Sequence, residues 1–333
     1  MAGCELPQAF SFSVFVFTYM NITINAPGRI CLFGDKVDLL GQPVIAMAIS
    51  CTLELSMTKR DDNIAVLISK NVDGAPVEFD LDHIPDDDHP LKYWYGILNR
   101  LRDRIPGGFE AVLDSQIPIG AGLSSSAAIS VAFSKGLNEL FDLGLTADEI
   151  AEVSYRSEHD DLCISCGRMD QYAIAHGGIT FIETGEQPRV TKLPIHELPV
   201  VVGDSQEERQ AKVILNRIRE QIDAQDPTVL DAFDVVYQGV MEGRDALVAG
   251  DYERVGQLMC QQQRMENILQ AATPKLNAMC KAAVEAGALG AKQMGAGGGG
   301  CMLAICPGKQ EEVARAIEEI GGRAWIFEVF EYY

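Results

Sequence analysis

The sequence has few positively charged side chains for its size. Its 333 residues include 27 Lys and Arg against 48 Asp and Glu, which gives a formal net charge of −21 at pH 7. Proteins that bind nucleic acids neutralise phosphates with a basic surface, so this balance argues against a nucleic-acid partner. It also means that an anionic ligand needs a local positive site, because the overall field repels it.

Long hydrophobic runs are missing as well. No apolar stretch reaches the roughly 18 residues of a membrane-spanning helix, which argues against a membrane partner. Residues 9–19 are apolar and aromatic, but Glu5 precedes them and no basic residue does, so they do not resemble a signal peptide. We expect residues 1–19 to be an extension that the fold does not need.

The nine cysteines do not form a disulfide or zinc pattern. Their number is odd and most lie among apolar or small residues, which indicates reduced thiols in a cytoplasmic protein. Cys163 and Cys166 have the C-x-x-C spacing, but a zinc site needs a second pair of ligands and none is obvious. We expect both to be structural.

Residues 118–128 combine glycines with three consecutive serines and lead into an alanine-rich segment with helical spacing. Gly120 and Gly122 permit conformations that a β-carbon would block. The unpaired N–H groups and partial positive charge of a helix N-terminus can bind an anion such as phosphate. A serine that merely caps the helix is an equally good interpretation of this loop alone. The loop lacks the lysine of a P-loop.

Three other segments carry polar residues in distinctive settings. In residues 26–41, Arg29 precedes an apolar strand, and Asp35, Lys36 and Asp38 follow it on a short loop. This loop can bind a polyol or can be a solvated turn. Asp170 lies among small and apolar residues, so it is either a partly buried site residue or a turn residue. Residues 294–300 form a second loop of closely spaced glycines.

Strand and helix patterns predict a two-domain α+β fold. Polar and apolar side chains alternate at 21–25, and apolar side chains form a continuous run at 30–33; both patterns are typical of strands. Pro27-Gly28 between them indicates a turn. Thr146 and Glu149 have the spacing of a capping box at the start of a helix. A polar Gly/Pro segment at 184–188 predicts a domain boundary, with domains at 20–185 and 186–333.

Three of these segments together resemble the motifs of the GHMP kinases, in the same order and spacing. They are the Pro-Gly-Arg segment at 27–41, the Gly/Ser loop at 118–128 and the glycine loop at 295–300. The resemblance extends from residue 21 to the end of the chain and is closest to the galactokinase-like sugar kinase branch. It implies a two-domain α+β GHMP kinase fold with the active site in the interdomain cleft. It also implies ATP and Mg²⁺.

The resemblance implies a role for each site residue. Asp170 and Arg29 are expected to be catalytic, and Ser126 and Glu158 to bind Mg²⁺. The substrate is expected to contact Asp35, Lys36, Asp38 and Asp170. The residues expected to bind ATP lie on the two loops: Gly120, Gly122, Leu123, Ser124, Ser125, Ser126, Gly297 and Gly298. Carboxylates, arginine, serines and glycines are residue types that suit phosphoryl transfer, which depends on positioning the reactants and on neutralising charge.

Two residues bear on the substrate. Asp38 matches an Asp that galactokinases use on sugar hydroxyls, which favours a monosaccharide phosphorylated at the anomeric hydroxyl. Galactokinases have Glu-His where this chain has Asp35-Lys36. The substrate is therefore either galactose or a variant at C6, such as a uronic acid whose carboxylate pairs with Lys36. A mevalonate or phosphomevalonate kinase and a catalytically silent sensor of sugar or ATP are the alternatives.

Overall fold

Two β-sheets form the framework of the protein. The computed structural model describes residues 21–87, 89–164 and 166–332, so the predicted extension at 1–19 lies outside the described residues. The first sheet has seven strands in the order β4-β3-β5-β2-β6-β7, with β1 paired to β2. Its strands are β1 Asn21–Phe33, β2 Val44–Lys59, β3 Ile64–Ser69, β4 Val77–Asp80, β5 Phe109–Ser115, β6 Ile179–Glu183 and β7 Arg189–Leu193.

A second, four-stranded sheet has the order β11-β8-β10-β9. Its strands are β8 Val200–Asp204, β9 Gly290–Gln293, β10 Cys301–Ile305 and β11 Arg323–Trp325. The α-helices are α1 Lys92–Leu101, α2 Ser125–Phe141, α3 Ala147–Arg156, α4 Met169–His176, α5 Ala211–Asp223, α6 Pro227–Ala249, α7 Tyr252–Ile268, α8 Pro274–Glu285 and α9 Gln310–Glu319. Across the described ranges, no helix has both the length and the apolar character needed to cross a membrane.

The two predicted strands at 21–25 and 30–33 are one strand, and the prediction of a turn between them was wrong. Strand β1 continues through Pro27 and Gly28 with a shift of register against β2, which is a β-bulge. A bulge accommodates proline, which cannot donate to the strand ladder. A β-carbon at Gly28 would lie 2.8 Å from the Leu123 carbonyl oxygen, so glycine lets the Gly/Ser loop approach the strand.

Strand pairing shows where the chain leaves the first sheet. Strand β7 pairs with β6, so the chain reaches the second sheet only between Leu193 and Val200, rather than at residue 185. The end of the chain returns to the first sheet, because the Phe330 amide donates to the Ala48 carbonyl over 2.9 Å. The domain boundary at 185/186 stays a prediction, with β7 attached to the first sheet.

Buried apolar side chains hold the helices against the sheets. Trp94 on α1 stacks on Phe133 of α2, with ring centroids 4.9 Å apart. The main core contains side chains from both sheets, and a smaller cluster fills the space between the second sheet and helices α8 and α9. The predicted capping box at Thr146 and Glu149 is confirmed, with both of its hydrogen bonds formed at the start of α3.

Glu152 links α3 to α4. Its carboxylate accepts hydrogen bonds from Arg156 over 2.7 Å, from Arg168 over 3.0 Å and from the Tyr172 hydroxyl over 2.9 Å. Burial alone would raise the pKa of Glu152, but these hydrogen bonds lower it to about 2. Because Asp170 lies on α4, this link helps to fix the position of a predicted site residue.

The link predicts a pH-dependent loss of stability in the Glu152→Gln variant. Because the folded-state pKa lies below the unfolded value of about 4.3, the contribution of Glu152 is complete above that pH and is lost as pH falls towards about 2. With allowance for solvent screening, urea unfolding at pH 7 should show a loss of about 1 kcal/mol. The loss of unfolding free energy should become smaller between pH 5 and pH 3. The exposed Glu139→Gln variant should have nearly the unfolding free energy of the wild type. A difference independent of pH would contradict the ionic role.

Candidate active site

Arg29 and Asp170 form a partly buried ion pair although 141 positions separate them. The Arg29 Nε and Nη2 atoms each donate to one Asp170 carboxylate oxygen over 2.7 Å. Burial alone would lower the pKa of Arg29, but the Asp170 charge more than offsets this and the pKa is raised. Such a bidentate ion pair fixes the orientation of both groups. The structure therefore brings the two predicted catalytic residues together.

The Gly/Ser loop packs against this pair. The Gly122 carbonyl accepts from Arg29 Nη1 over 2.8 Å, and the Leu123 carbonyl accepts from the Arg29 amide over 3.1 Å. Ser124 has a φ of 62°, which is uncommon for a residue with a β-carbon, and its hydroxyl donates to Asp170 Oδ2 over 2.5 Å. This strained backbone is held in place by the contacts that aim the serine at the carboxylate.

The rest of the loop has the shape expected for an anion site. Gly120 and Gly122 have φ values of 79° and 93°, which glycine adopts without cost. Helix α2 begins at Ser125, so the unpaired N–H groups of its first turn lie beside the Arg29–Asp170 pair. Leu123 is fully buried and can offer a ligand only its backbone.

Glu158 and Ser126 also meet, as the prediction of a magnesium site requires. Glu158 lies in a π-helical turn that follows α3, a feature frequent at functional sites. Burial raises the pKa of Glu158 to about 7, although hydrogen bonds from Gln171 and from the Ser126 hydroxyl oppose the rise. The Gln171 bond is 3.0 Å long. A buried carboxylate with a raised pKa is a group that a cation would stabilise.

The donor set fits Mg²⁺. This ion prefers oxygen ligands and usually takes only one or two carboxylates together with water and phosphate oxygens. Glu158 and Ser126 supply one carboxylate and one hydroxyl. In the described parts of the chain, no group of three or more His, Cys, Asp or Glu side chains forms a larger metal cage. Glu158 and Ser126 would therefore hold the ion jointly with the nucleotide phosphates.

Asp38 lies close to the predicted catalytic residues. Burial, and then the neighbouring Asp170 charge, raise the pKa of Asp38 to about 7. A β-carbon at Gly167, three positions before Asp170, would overlap the Asp38 carboxylate, with 1.9 Å to Oδ2. Gly167 thus lets this carboxyl group approach the start of α4, where it can contact a substrate hydroxyl.

Asp35 and Lys36 occupy a different environment from the one that the sequence predicted. Lys36 Nζ forms a 2.6 Å ion pair with Glu266, and the two side chains are 2% and 0% exposed. Asp35 is fully buried and forms an ion pair with Lys292. Neither side chain faces open space, so the expectation that both contact a substrate, and that Lys36 pairs with a uronate, is corrected. Both partners lie more than 200 positions away and could not be foreseen.

These four residues form a neutral buried network. Asp35 and Lys36 lie in the connection between β1 and β2, whereas Glu266 lies on α7 and Lys292 on β9. Lys36 donates to the Gly295 carbonyl over 2.8 Å, and the Gly295 amide donates to Asp35. The charges therefore tie the first predicted motif to the third. Burial raises the pKa of Glu266, while Lys292, followed by Lys36, lowers the pKa of Asp35 against the effect of burial.

The late glycine loop is shaped by its surroundings. Gly297 and Gly298 have φ values of 82° and 67°. A β-carbon at Gly297 would lie 2.3 Å from the Ala271 carbonyl oxygen, and the same oxygen accepts from the Gly298 amide over 2.8 Å. The loop therefore needs glycine for close packing against the α7–α8 connection. Because the Gly298 amide already donates to the Ala271 carbonyl, a contact of Gly297 and Gly298 with ATP stays a prediction.

Arg209 is a candidate that sequence reasoning missed. It lies before α5, and its guanidinium packs between the two loops: β-carbons at Gly122 and Gly300 would lie 3.5 Å and 3.2 Å from its side-chain atoms. Within the described residues it has no hydrogen bond or ion pair. Burial, and then the nearby Arg29, lower its pKa. A cation in this position can meet an incoming anion, yet in the sequence it stands among glutamates like an ordinary surface arginine.

Comparison with known proteins gives a consistent result. A family model described as GHMP kinases N terminal domain matches residues 92–178, and one described as GHMP kinases C terminal matches residues 244–322.

The chain is 33% identical to the mevalonate kinase of Pyrococcus furiosus over 93% of its own length and 96% of that protein. It is 28% identical to the galactokinase of Mannheimia succiniciproducens over 89% and 88%. The crystal structure of Lactococcus lactis galactokinase complexed with galactose superposes with a TM-score of 0.83 at 22% identity, covering 96% of each chain.

The geometry predicts that Asp170→Asn abolishes phosphoryl transfer while the protein still binds ATP. The amide cannot accept a proton from the acceptor hydroxyl, and turnover should fall by about 10³-fold. ATP affinity, measured by calorimetry, should stay within about threefold, since the Gly/Ser loop backbone is unchanged. The exposed Asp231→Asn variant is the matched control. Unchanged turnover in Asp170→Asn would refute the assigned role.

The buried network predicts a large loss of stability in Lys292→Met. This change leaves Asp35 charged and unpaired in the interior, which should cost about 3–5 kcal/mol in urea unfolding. Adding Asp35→Leu should restore most of the loss, because the Lys36–Glu266 pair remains neutral. The exposed Lys281→Met variant should change stability by less than about 0.5 kcal/mol. A loss below about 1 kcal/mol in Lys292→Met would show that the network is not closed to water.

Proposed function

Because the chain belongs to the GHMP kinase family, whose members are ATP-dependent phosphotransferases, we propose that it phosphorylates a monosaccharide at the anomeric hydroxyl to give a sugar 1-phosphate. The observation that carries this proposal is the Arg29–Asp170 pair, held by the Gly/Ser loop at the N-terminus of α2. A carboxylate, a guanidinium and a helix N-terminus in one place are the groups that transfer to a hydroxyl requires.

The hydrogen bonds of Asp170 leave room for an acceptor hydroxyl. Its Oδ2 atom accepts from Arg29 and from Ser124, whereas its Oδ1 atom, among the residues that the structure describes, accepts only from Arg29. A carboxylate oxygen has about two acceptor positions, so Oδ1 can accept one more proton donor. The side chain is also 27% exposed, unlike the buried Arg29. In the proposed mechanism this oxygen orients the acceptor hydroxyl and receives its proton as the phosphoryl group transfers.

The remaining groups bind and neutralise the phosphates. The N–H groups at the start of α2 contact the phosphate chain, and Arg29 and Arg209 face the negative charge that is transferred. Mg²⁺, when bound by Glu158 and Ser126, would neutralise charge on the phosphate oxygens. The leaving ADP carries away the electron pair of the broken phosphorus–oxygen bond, and the new bond joins phosphorus to the acceptor oxygen.

Asp38 supports a sugar as the acceptor. A monosaccharide has several hydroxyl groups near the one that reacts, and a carboxyl beside Asp170 can bind one or two of them. Its pKa of about 7 means that this group can accept or donate a hydrogen bond near neutral pH. A mevalonate-type acceptor is the second candidate, favoured by the 33% identity to a mevalonate kinase over most of the chain. A silent sensor would have no use for the complete Arg29, Ser126, Glu158 and Asp170 set.

The test is ATP consumption by the purified protein with Mg²⁺ against a panel of acceptors. The panel contains galactose, glucose, N-acetylhexosamines, galacturonate, glucuronate, arabinose and mevalonate. We expect turnover with a sugar, and phosphorus NMR of the product should show an anomeric phosphate. Turnover with mevalonate alone would refute the sugar and keep the kinase. If none of the acceptors in the panel is phosphorylated, the result would favour the sensor. Phosphorylation of any sugar would eliminate the sensor.

A further inference from the structure

Gln171 links the predicted magnesium site to the predicted catalytic carboxylate. It follows Asp170 directly in the first turn of α4, and it is 1% exposed. Its Nε2 atom donates to Glu158 Oε1 over 3.0 Å. One turn of one helix therefore carries both the catalytic carboxylate and a side chain that holds a predicted magnesium ligand.

The contact with Glu158 determines which end of the Gln171 amide is free. A carboxylate that binds a metal ion is ionised, and an ionised carboxylate only accepts hydrogen bonds. The amide nitrogen must therefore face Glu158, and the carbonyl oxygen Oε1 must face away from it. This Oε1 atom is buried and has no hydrogen-bond partner among the described residues. Gln171 is thus a buried amide with one end in use and a free acceptor at the other.

Both ends of this amide match what a magnesium site with one carboxylate needs. A carboxylate that binds the ion through one oxygen can accept a hydrogen bond at the other, and such bonds orient metal ligands. The Gln171 nitrogen supplies this bond. Mg²⁺ also keeps several bound waters, whose protons need acceptors. Because the two ends of an amide belong to one small planar group, Oε1 lies close to Glu158 and can accept from such a water.

Gln263 on α7 shows what a buried glutamine with a structural role looks like. It is 8% exposed, its Nε2 atom donates to Asn277 over 3.0 Å, and its Oε1 atom accepts from the Gln293 amide over 2.7 Å. Both of its ends are used within the protein. A buried acceptor without a partner costs free energy, so the free oxygen of Gln171 points to a partner that arrives with the ligand.

We propose that Gln171 is a positioning residue of the magnesium site: its amide nitrogen orients Glu158, and its carbonyl oxygen accepts a hydrogen bond from a water bound to the ion. The inference rests on the proposed function, because it assumes that Glu158 and Ser126 hold Mg²⁺ together with the nucleotide phosphates. A change at Gln171 should therefore weaken the contribution of the ion to nucleotide binding and leave the direct contacts between nucleotide and protein intact.

ADP binding with and without the ion tests the proposal. The Kd of ADP is measured by calorimetry in EDTA and in excess Mg²⁺, and the ratio of the two values gives the contribution of the ion. In Gln171→Met this ratio should fall by about tenfold or approach one, as is typical when a hydrogen bond to a metal ligand is lost, while the Kd in EDTA hardly changes. Gln171→Leu removes the same polar atoms and serves if Gln171→Met does not fold. Gln263→Met is the matched control and should keep the wild-type ratio.

The dependence of turnover on Mg²⁺ gives a second readout. In Gln171→Met the Mg²⁺ concentration for half-maximal turnover should rise about tenfold, and saturating Mg²⁺ should restore most of kcat, which a merely distorted site would not allow. If no acceptor is turned over but the ADP ratio falls only in the Gln171 variants, the positioning role stands and the acceptor assignment fails. A wild-type ratio near one, equal ratios in the wild type and Gln171→Met, or an equal fall in Gln263→Met would overturn the inference.

Discussion

The guanidinium of Arg29 connects the three parts of the candidate active site. The guanidinium donates to both oxygens of Asp170 on α4 and to the Gly122 carbonyl of the Gly/Ser loop. The backbone amide of Arg29 donates to the Leu123 carbonyl of the same loop. Because the guanidinium is planar and its donors are fixed relative to one another, these bonds determine both distance and orientation. The strained backbone of Ser124 and the bulge at Gly28 are local adjustments that allow this arrangement.

Charge is distributed unevenly in this protein. The chain carries a net charge of −21, yet Arg29 and Arg209 both lie against the Gly/Ser loop of the candidate site. A strong negative net charge repels anions in general, whereas a few focused cations attract them at one place. Binding of an anionic ligand at the candidate site thus depends on local pairing rather than on long-range steering.

The parts of the fold that sequence predicts are those set by local patterns. The capping box at Thr146 and the conformational freedom of Gly122 depend on short spacings. The pairing of Arg29 with Asp170, 141 positions apart, was expected only from the resemblance to a family. Lys36 illustrates what cannot be predicted, because its partner Glu266 lies 230 positions away on helix α7. Arg209 was missed for a related reason: it looks like a surface arginine until the fold places it between two loops.

The buried network at Asp35, Lys36, Glu266 and Lys292 has a mechanical consequence. Both of its ion pairs join the N-terminal part of the chain to the C-terminal part. A clamshell motion that separated the two parts there would break both pairs at once, whereas a rotation about the network leaves them intact. Any relative motion of the two parts is therefore expected to pivot about this network rather than to open it.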